Sequence, residues 1–237
     1  MRKFLAYGVH LFTASGILAA FMAILAIQSH DFKAAMLWLF VAFAIDGLDG
    51  LAARAVRVSE VLPDWDGKNI DFVIDFATYA IIPAYFMHEA VFPDGSLIFP
   101  AEYKLYVCFA VLLTSAMYYG KSGMVSNDNY FVGFPVLWNF VVFYQFFVLH
   151  LSEWANLWIT LFLCALHFVP IKVPYPSQSK GNKWLDMTVV CAAVAICGMA
   201  LYNYPSHNPI WAIASLVPLA YWVAQTVYVT YFSRAGS

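Results

Sequence analysis

The sequence predicts an all-α polytopic membrane protein with about eight transmembrane helices. Hydrophobic residues make up 63% of its 237 residues and charged residues only 11%, whereas soluble domains average roughly 45–50% and 25%. Eight apolar runs approach the roughly 20 residues that a helix needs to cross a bilayer. The net charge of −2 predicts no nucleic-acid partner, since nucleic-acid-binding proteins usually carry a basic patch.

The apolar runs follow one another along the chain, separated by short polar or proline-containing stretches. They occupy residues 4–27, 35–54, 68–88, 104–121, 131–150, 153–170, 184–203 and 209–232. The connection at residues 89–103 contains two prolines and an Asp-Gly pair, which are typical of turns. Because no Gly/Ser linker or low-complexity segment separates a second module, we expect one membrane domain over residues 1–237.

Lysines and arginines concentrate on one side of the predicted bundle. If the amino terminus lies inside, the inner side carries Arg2, Lys3, Arg54, Arg57, Lys68, Lys121, Lys172, Lys180, Lys183 and Arg234. The outer side then carries only Lys33 and Lys104. Because basic residues are enriched in cytoplasmic loops, we expect both termini to face the cytoplasm.

Four carboxylates lie at or inside apolar runs. Asp46 and Asp49 are three residues apart, and Asp71 and Asp75 are four apart, so each pair projects from one face of a helix. An ionised side chain inside a membrane is costly unless something compensates its charge. Two packed helices would bring four acids together, and hard oxygen ligands in that number favour Mg²⁺, Mn²⁺ or Ca²⁺ over zinc or copper.

The residues around the acids indicate a ligand with phosphate groups. Gly50 and Ala53 leave the helix face beside the acids bare, although small residues at this spacing also serve helix packing. Gly67 opens the next helix, whose free N–H groups and positive dipole end favour phosphate. Arg54 offers a guanidinium fork that suits phosphate oxygens. Together these residues predict a diphosphate site.

The stretch from residue 46 to residue 75 resembles the signature of the CDP-alcohol phosphatidyltransferases, D-x2-D-G-x2-A-R-x(n)-G-x3-D-x3-D. Every fixed position is matched, by Asp46, Asp49, Gly50, Ala53, Arg54, Gly67, Asp71 and Asp75. The resemblance implies that the first three acids hold metal. It implies that Asp75 both contacts metal and acts as the base that deprotonates the acceptor alcohol. Two divalent ions, Mn²⁺ or Mg²⁺, are the expected cofactors.

The same resemblance implies the donor and the helical core. The donor would be CDP-diacylglycerol, with CMP as the leaving group, and it would be bound by Asp49, Gly50, Ala53, Arg54 and Gly67. Family members have a six-helix core, which the first six segments (about 1–170) would supply. The last two segments (about 184–232) would be an addition. Homodimers are common in the family, so a homodimer is also expected.

One departure from the common pattern points to a branch of this family. The gap between Arg54 and Gly67 is twelve residues, where most members have eight or nine, and it resembles the bacterial phosphatidylcholine synthase branch. Residues 9–16 and 129–139 are similar to the same branch. The branch implies choline as the acceptor, phosphatidylcholine as the product, and a place in the bacterial inner membrane. The distribution of lysine and arginine predicts that the Asp46–Asp75 site faces the cytoplasm.

The choline-binding residues are predicted from chemistry. A quaternary ammonium favours aromatic faces, and Tyr118, Trp138 and Asn139 flank a predicted cytoplasmic loop in or near the branch-like stretch. Tyrosine and tryptophan are enriched at both membrane interfaces whatever the function, and this enrichment would also explain Tyr118 and Trp138. His10 and His167 lie in apolar segments, where a lone histidine is more often a packing residue than a ligand. A nucleotide contact is the alternative for His10.

Two other functions fit parts of the sequence. Another alcohol, such as serine, would use the same acids and the same donor. A cation-coupled transporter would also bury acids, but transporters often show internal repeats and helices broken near the bilayer midplane. No such self-similarity is visible here, and the acids cluster toward one predicted membrane face.

Overall fold

The computed structural model describes residues 2–175, 183–205 and 209–232. Its helices are α1 (Arg2–Gln28), α2 (Phe32–Val56), α3 (Val58–Val61), α4 (Gly67–Phe76), α5 (Ile82–Glu89), α6 (Lys104–Tyr119), α7 (Trp138–Phe143), α8 (Glu153–Leu166), α9 (Lys183–Asn203) and α10 (Pro209–Tyr231). Two π-helical turns, Ala77–Ile81 and Tyr144–Val148, follow α4 and α7. Lys180 and Arg234, predicted to lie on the inner side, fall outside the described residues.

Within the described ranges, five helical spans are long and apolar enough to cross a membrane. They are Arg2–Gln28, Phe32–Val56, Gly67–Glu89, Trp184–Asn203 and Pro209–Tyr231. Three shorter apolar helices, Lys104–Tyr119, Trp138–Val148 and Glu153–Leu166, accompany them. Each falls within or largely overlaps one predicted apolar segment. The predicted fold class, an all-α polytopic membrane protein, is therefore confirmed.

The chain forms two compact units. The first contains residues 1–90 and 137–142, and the second contains residues 91–136 and 143–237. The single membrane domain over the whole chain stays a prediction, as does its division into a core and two added helices.

The first unit is built on the close approach of α1 and α2. Small buried residues such as Ala19, Ala20 and Ala23 follow one face of α1, and small residues let helix backbones approach closely. Asp31 caps α2 by accepting a hydrogen bond from the Ala34 N–H at 2.9 Å. Because only Ser29–Asp31 join the two long helices, they are antiparallel neighbours. Of this pair, α1 is the helix against which α4 packs.

The helical span that carries Asp71 and Asp75 is not a regular α-helix. Asp66 caps its first turn by accepting a hydrogen bond from the Lys68 N–H at 3.0 Å. The span widens into the π-helical turn at Ala77–Ile81 and continues as α5, where Pro83 lies in the first turn. Proline has no N–H for the carbonyl one turn earlier, and a π turn relieves the resulting irregularity.

The second unit joins its helices through buried polar contacts. The Gln145 side-chain amide donates to the Thr160 hydroxyl at 2.9 Å and to the Asn156 carbonyl at 3.3 Å. The Tyr144 hydroxyl donates to the Ser215 carbonyl at 2.6 Å. Such contacts satisfy polar groups that would otherwise be costly to bury.

One predicted segment boundary is wrong. Residues 131–150 were expected to form one helix, but Tyr130–Val132 form strand β1, which pairs antiparallel with β2 (Lys172–Pro174). Gly133 has a φ of +97°, outside the range of a helix, and the helix begins only at Trp138. A Cβ at Gly133 would collide with the His167 backbone carbonyl, so the close approach requires glycine.

Candidate active site

The structure brings three of the four predicted metal-binding acids together. Asp46 and Asp49 project from α2 and Asp71 projects from α4, and one carboxylate oxygen from each lies within 4.8 Å of the other two. Oxygens at this spacing can share one cation or a pair of cations. The three-residue spacing on α2 and the packing of both helices against α1 therefore create the cluster that the sequence predicts.

Asp75, the fourth predicted metal ligand, lies one turn further along α4 and outside this group of three acids. Its carboxylate lies beside that of Asp46. Its Oδ1 is buried and has no hydrogen-bond partner among the described residues, which typically costs about 1–3 kcal/mol for a polar group. A bound cation or the hydroxyl of a substrate would satisfy this oxygen. The donor set and the unsatisfied oxygen both fit a site for divalent metal.

Tyr79 makes a contact with this cluster that the sequence reasoning did not single out. Its hydroxyl donates a hydrogen bond of 2.7 Å to Asp46 Oδ2. The signal was present in the sequence, because Tyr79 follows Asp75 by four residues and so shares its helical face. The aromatic residues of the chain are too numerous for that spacing to distinguish one of them.

Arg54 lies on the side of α2 that carries the acids. Its guanidinium folds back over Gly50, where an added Cβ would lie 3.3 Å from Arg54 Nη1. The buried Asp49 carboxylate interacts with Arg54 and with Thr13 of α1. The guanidinium, the glycine without a side chain and the acid cluster therefore lie next to one another. This arrangement is the one expected for a phosphate group bound beside metal ions.

Gly67 lies at a close approach of α4 to α1. A Cβ at this position would lie only 3.0 Å from Cε1 of the His10 ring. His10 is buried, its ring stacks on Trp65 at a centroid distance of 6.0 Å, and its Nε2 has no hydrogen-bond partner among the described residues. The glycine therefore allows the close approach of α1 to the first turn of α4.

The twelve residues between Arg54 and Gly67 fold back onto α1. They contain Arg57 in a left-handed conformation with φ of 56°, followed by α3. Val58 and Leu62 form a buried cluster with Ala6 of α1, and Ala53 packs against it. Ala53, predicted to contact the donor, thus also has a packing role.

The predicted choline contacts fall in both units. Trp138 and Asn139 are buried on α7 in the first unit, which also holds the acids, and Tyr118 is buried on α6 in the second unit. Asn139 Oδ1 accepts a hydrogen bond from the Phe140 N–H at 3.0 Å. The Asn139 Nδ2 and the Tyr118 hydroxyl have no hydrogen-bond partner within the described ranges. Buried polar groups of this kind are rare unless water or a ligand satisfies them.

Comparison with known proteins identifies relatives over most of the chain. No protein-family model matches. The phosphatidylcholine synthase of Pseudomonas aeruginosa is 36% identical over 96% of this chain and 90% of its own length. The enzyme of the same name from Bradyrhizobium diazoefficiens is 40% identical over 78% of this chain and 67% of its own length. That of Borreliella burgdorferi is 30% identical over 97% and 96%. These relatives confirm the resemblance carried by residues 46–75, and the chain belongs to the phosphatidylcholine synthase family.

Proposed function

We propose that this protein transfers the phosphatidyl group of CDP-diacylglycerol to the hydroxyl of choline, releasing CMP and forming phosphatidylcholine. The observation that carries the proposal is the convergence of Asp46, Asp49 and Asp71 within 4.8 Å in a chain whose relatives are named phosphatidylcholine synthase. Serine as acceptor would use the same acids, but the relatives' names favour choline.

The acids on α2 and α4 would hold two divalent ions, Mn²⁺ or Mg²⁺. Carboxylate oxygens are ligands that both ions prefer. The chemistry that bound ions supply is neutralisation of the diphosphate oxygens and of the charge that develops on the leaving CMP. Asp46, Asp49 and Asp71 are the proposed ligands, and Asp75 would contribute one more oxygen.

Asp75 would act as the general base. The hydroxyl oxygen of choline would attack the phosphorus that carries diacylglycerol, and the bond from this phosphorus to the oxygen of CMP would break. The proton of the hydroxyl would pass to Asp75, which is then neutral until it returns the proton to water. Its unsatisfied Oδ1 supports this role, because no described side chain competes for that oxygen. We propose direct attack without a covalent enzyme intermediate.

The donor would be bound at the same end of α2 and α4. Arg54 would pair with phosphate oxygens through its guanidinium fork. Gly50 and Ala53 would allow the bulky diphosphate to approach the helix. Asp49 would contact the diphosphate through a bound metal ion. Gly67 would present the first N–H groups of α4 to phosphate. The position of the Arg54 guanidinium over Gly50 supports this arrangement.

The acceptor would be held by Tyr118, Trp138 and Asn139. The support is chemical, since aromatic faces attract quaternary ammonium groups and the buried Asn139 Nδ2 and Tyr118 hydroxyl have no partner among the described residues. Substitution of each residue by leucine should raise the KM for choline and leave the KM for CDP-diacylglycerol unchanged.

The protein would lie in the bacterial inner membrane with the site and both termini facing the cytoplasm. The distribution of lysine and arginine supports this orientation, and nucleotide-activated donors are cytoplasmic. Membrane lipids would surround its apolar helices, and the family resemblance supports a homodimer.

The experiment uses purified protein in detergent with CDP-diacylglycerol and Mn²⁺. CMP release is followed with choline, serine or no acceptor, each with and without a chelator. We expect release that requires both choline and metal. Release with serine alone would reject choline as the acceptor. No release from folded protein with either alcohol would favour the transporter interpretation.

A further inference from the structure

The hydroxyl of Tyr79 joins the two helical spans that carry the acids. Tyr79 lies in the π-helical turn after α4 and is 4% exposed. Its hydroxyl donates to Asp46 Oδ2 on α2 at 2.7 Å, which is within the range of hydrogen bonds from a hydroxyl to a charged oxygen. Asp46 is the acid that also lies beside Asp75.

The ring of Tyr79 is held in place by aromatic packing. Phe43 meets it edge to face at a centroid distance of 6.4 Å. Phe43 in turn meets Phe140 edge to face at 5.0 Å. Because Phe43 precedes Asp46 by three residues on α2, the ring that supports Tyr79 and the carboxylate that it binds project from the same helical face. The phenol is therefore fixed relative to the carboxylate.

A fixed donor on one carboxylate oxygen controls what the carboxylate can bind. The hydrogen bond restricts rotation of the Asp46 carboxyl group. A carboxylate has about four lone-pair sites, so one bound donor still allows the group to coordinate a cation. Partners that hydrogen-bond to ligating carboxylates orient them, and loss of such a partner typically lowers metal affinity or activity about 10–100-fold.

We propose that Tyr79 is a positioning residue that fixes the Asp46 carboxylate for metal binding and so sets the affinity of the acid cluster for a divalent cation. This inference rests on the proposed metal-binding role of Asp46. It assigns Tyr79 no contact with donor or acceptor.

Two variants test the role of the hydroxyl. Tyr79→Phe removes one oxygen and keeps the ring that packs against Phe43. Tyr144→Phe is the matched control. Tyr144 is the first residue of the other π-helical turn, and its hydroxyl donates to another helix, to the Ser215 carbonyl at 2.6 Å. Thermal unfolding without metal compares the folded stability of both variants.

The measurement is Mn²⁺ binding to the full-length, chelator-treated protein in detergent without substrates, followed by the paramagnetic resonance signal of free Mn²⁺. We expect Tyr79→Phe to bind Mn²⁺ about 10–100-fold more weakly and Tyr144→Phe to bind it like the unchanged protein. The Mn²⁺ concentration for half-maximal CMP release should rise by a similar factor.

Three results would overturn the inference. Unchanged Mn²⁺ affinity in Tyr79→Phe would reject the positioning role and leave the proposed metal site intact. A higher KM for choline without a change in Mn²⁺ affinity would assign Tyr79 to the acceptor instead. Failure of the unchanged protein to bind Mn²⁺ would reject the metal site itself, and the inference with it.

Discussion

The substitution Gly67→Ala tests whether α1 and α4 approach each other as closely as the structure indicates. The added Cβ would lie 3.0 Å from Cε1 of His10, closer than an ordinary carbon–carbon contact of about 3.5–4.0 Å. The ring cannot move freely, because His10 is buried and stacks on Trp65. Gly8→Ala is the matched control on α1, since a Cβ at Gly8 meets nothing within 4 Å.

The size of the effect follows from two opposing terms. Alanine in place of a helical glycine stabilises by about 0.5–1 kcal/mol, and Gly8→Ala should show this gain. Overpacking in a tight contact costs about 1–3 kcal/mol. Gly67→Ala should show both the gain from alanine and this cost. The two variants should therefore differ by about 1–3 kcal/mol in the free energy of unfolding, with Gly67→Ala the less stable.

The assay is thermal unfolding in detergent together with the KM for CDP-diacylglycerol. A difference of about 1 kcal/mol shifts the midpoint by about 2–4 °C in a chain of this size. Because the first turn of α4 is the proposed phosphate contact, Gly67→Ala should also raise the donor KM, and Gly8→Ala should not. Adding His10→Ala to Gly67→Ala should recover stability relative to the sum of the single changes, since the two residues touch. A Gly67→Ala protein as stable as Gly8→Ala would refute the close approach.

Two further predictions concern the charged groups. Hydrogen bonds from Lys172, at 2.6 Å, and from Ser126 hold the pKa of the Asp128 carboxyl below its ordinary value. A lowered pKa in the folded protein stabilises it above the unfolded pKa, and this stability is lost as pH falls through the folded pKa. Asp128→Asn should therefore flatten the loss of thermal stability on acidification below about pH 4, and an unchanged pH profile would reject the pairing. Arg54→Lys keeps the charge but loses the guanidinium fork, so it should raise the KM for CDP-diacylglycerol about 10-fold with thermal stability unchanged; an unchanged KM would reject the donor contact.

Much of the fold was predictable because hydrophobic length is a local property of the chain. The long runs that became α1, α2, α9 and α10 were visible as uninterrupted apolar sequence. The start of α7 was not, because it depends on Gly133 at positive φ and on pairing between β1 and β2, two segments far apart in sequence. The π-helical turn before Pro83 was also not predicted, since a proline in a helix permits several local adjustments.

The candidate site also has features that the sequence predicts and features that depend on how the helices pack. The acids Asp46, Asp49 and Asp71 were predictable because spacings of three and four residues determine a helical face. The contact of Tyr79 with Asp46 depends on how two helical spans pack, which spacing alone does not determine. The position of His10 against Gly67 likewise follows from the approach of α1 to α4.

The central claim is that the acid cluster transfers a phosphatidyl group with Asp75 as its base, and Asp75→Asn tests it most directly. CMP release from CDP-diacylglycerol is measured with choline and saturating Mn²⁺ in the unchanged protein, in Asp75→Asn, and in Asp64→Asn, which alters an exposed acid outside the cluster. A positioned general base typically contributes about 10²–10⁴-fold, so Asp75→Asn should lose at least about 10²-fold in rate while remaining folded. Asp64→Asn should keep the full rate. Synthesis at the full rate by folded Asp75→Asn protein would contradict the claim.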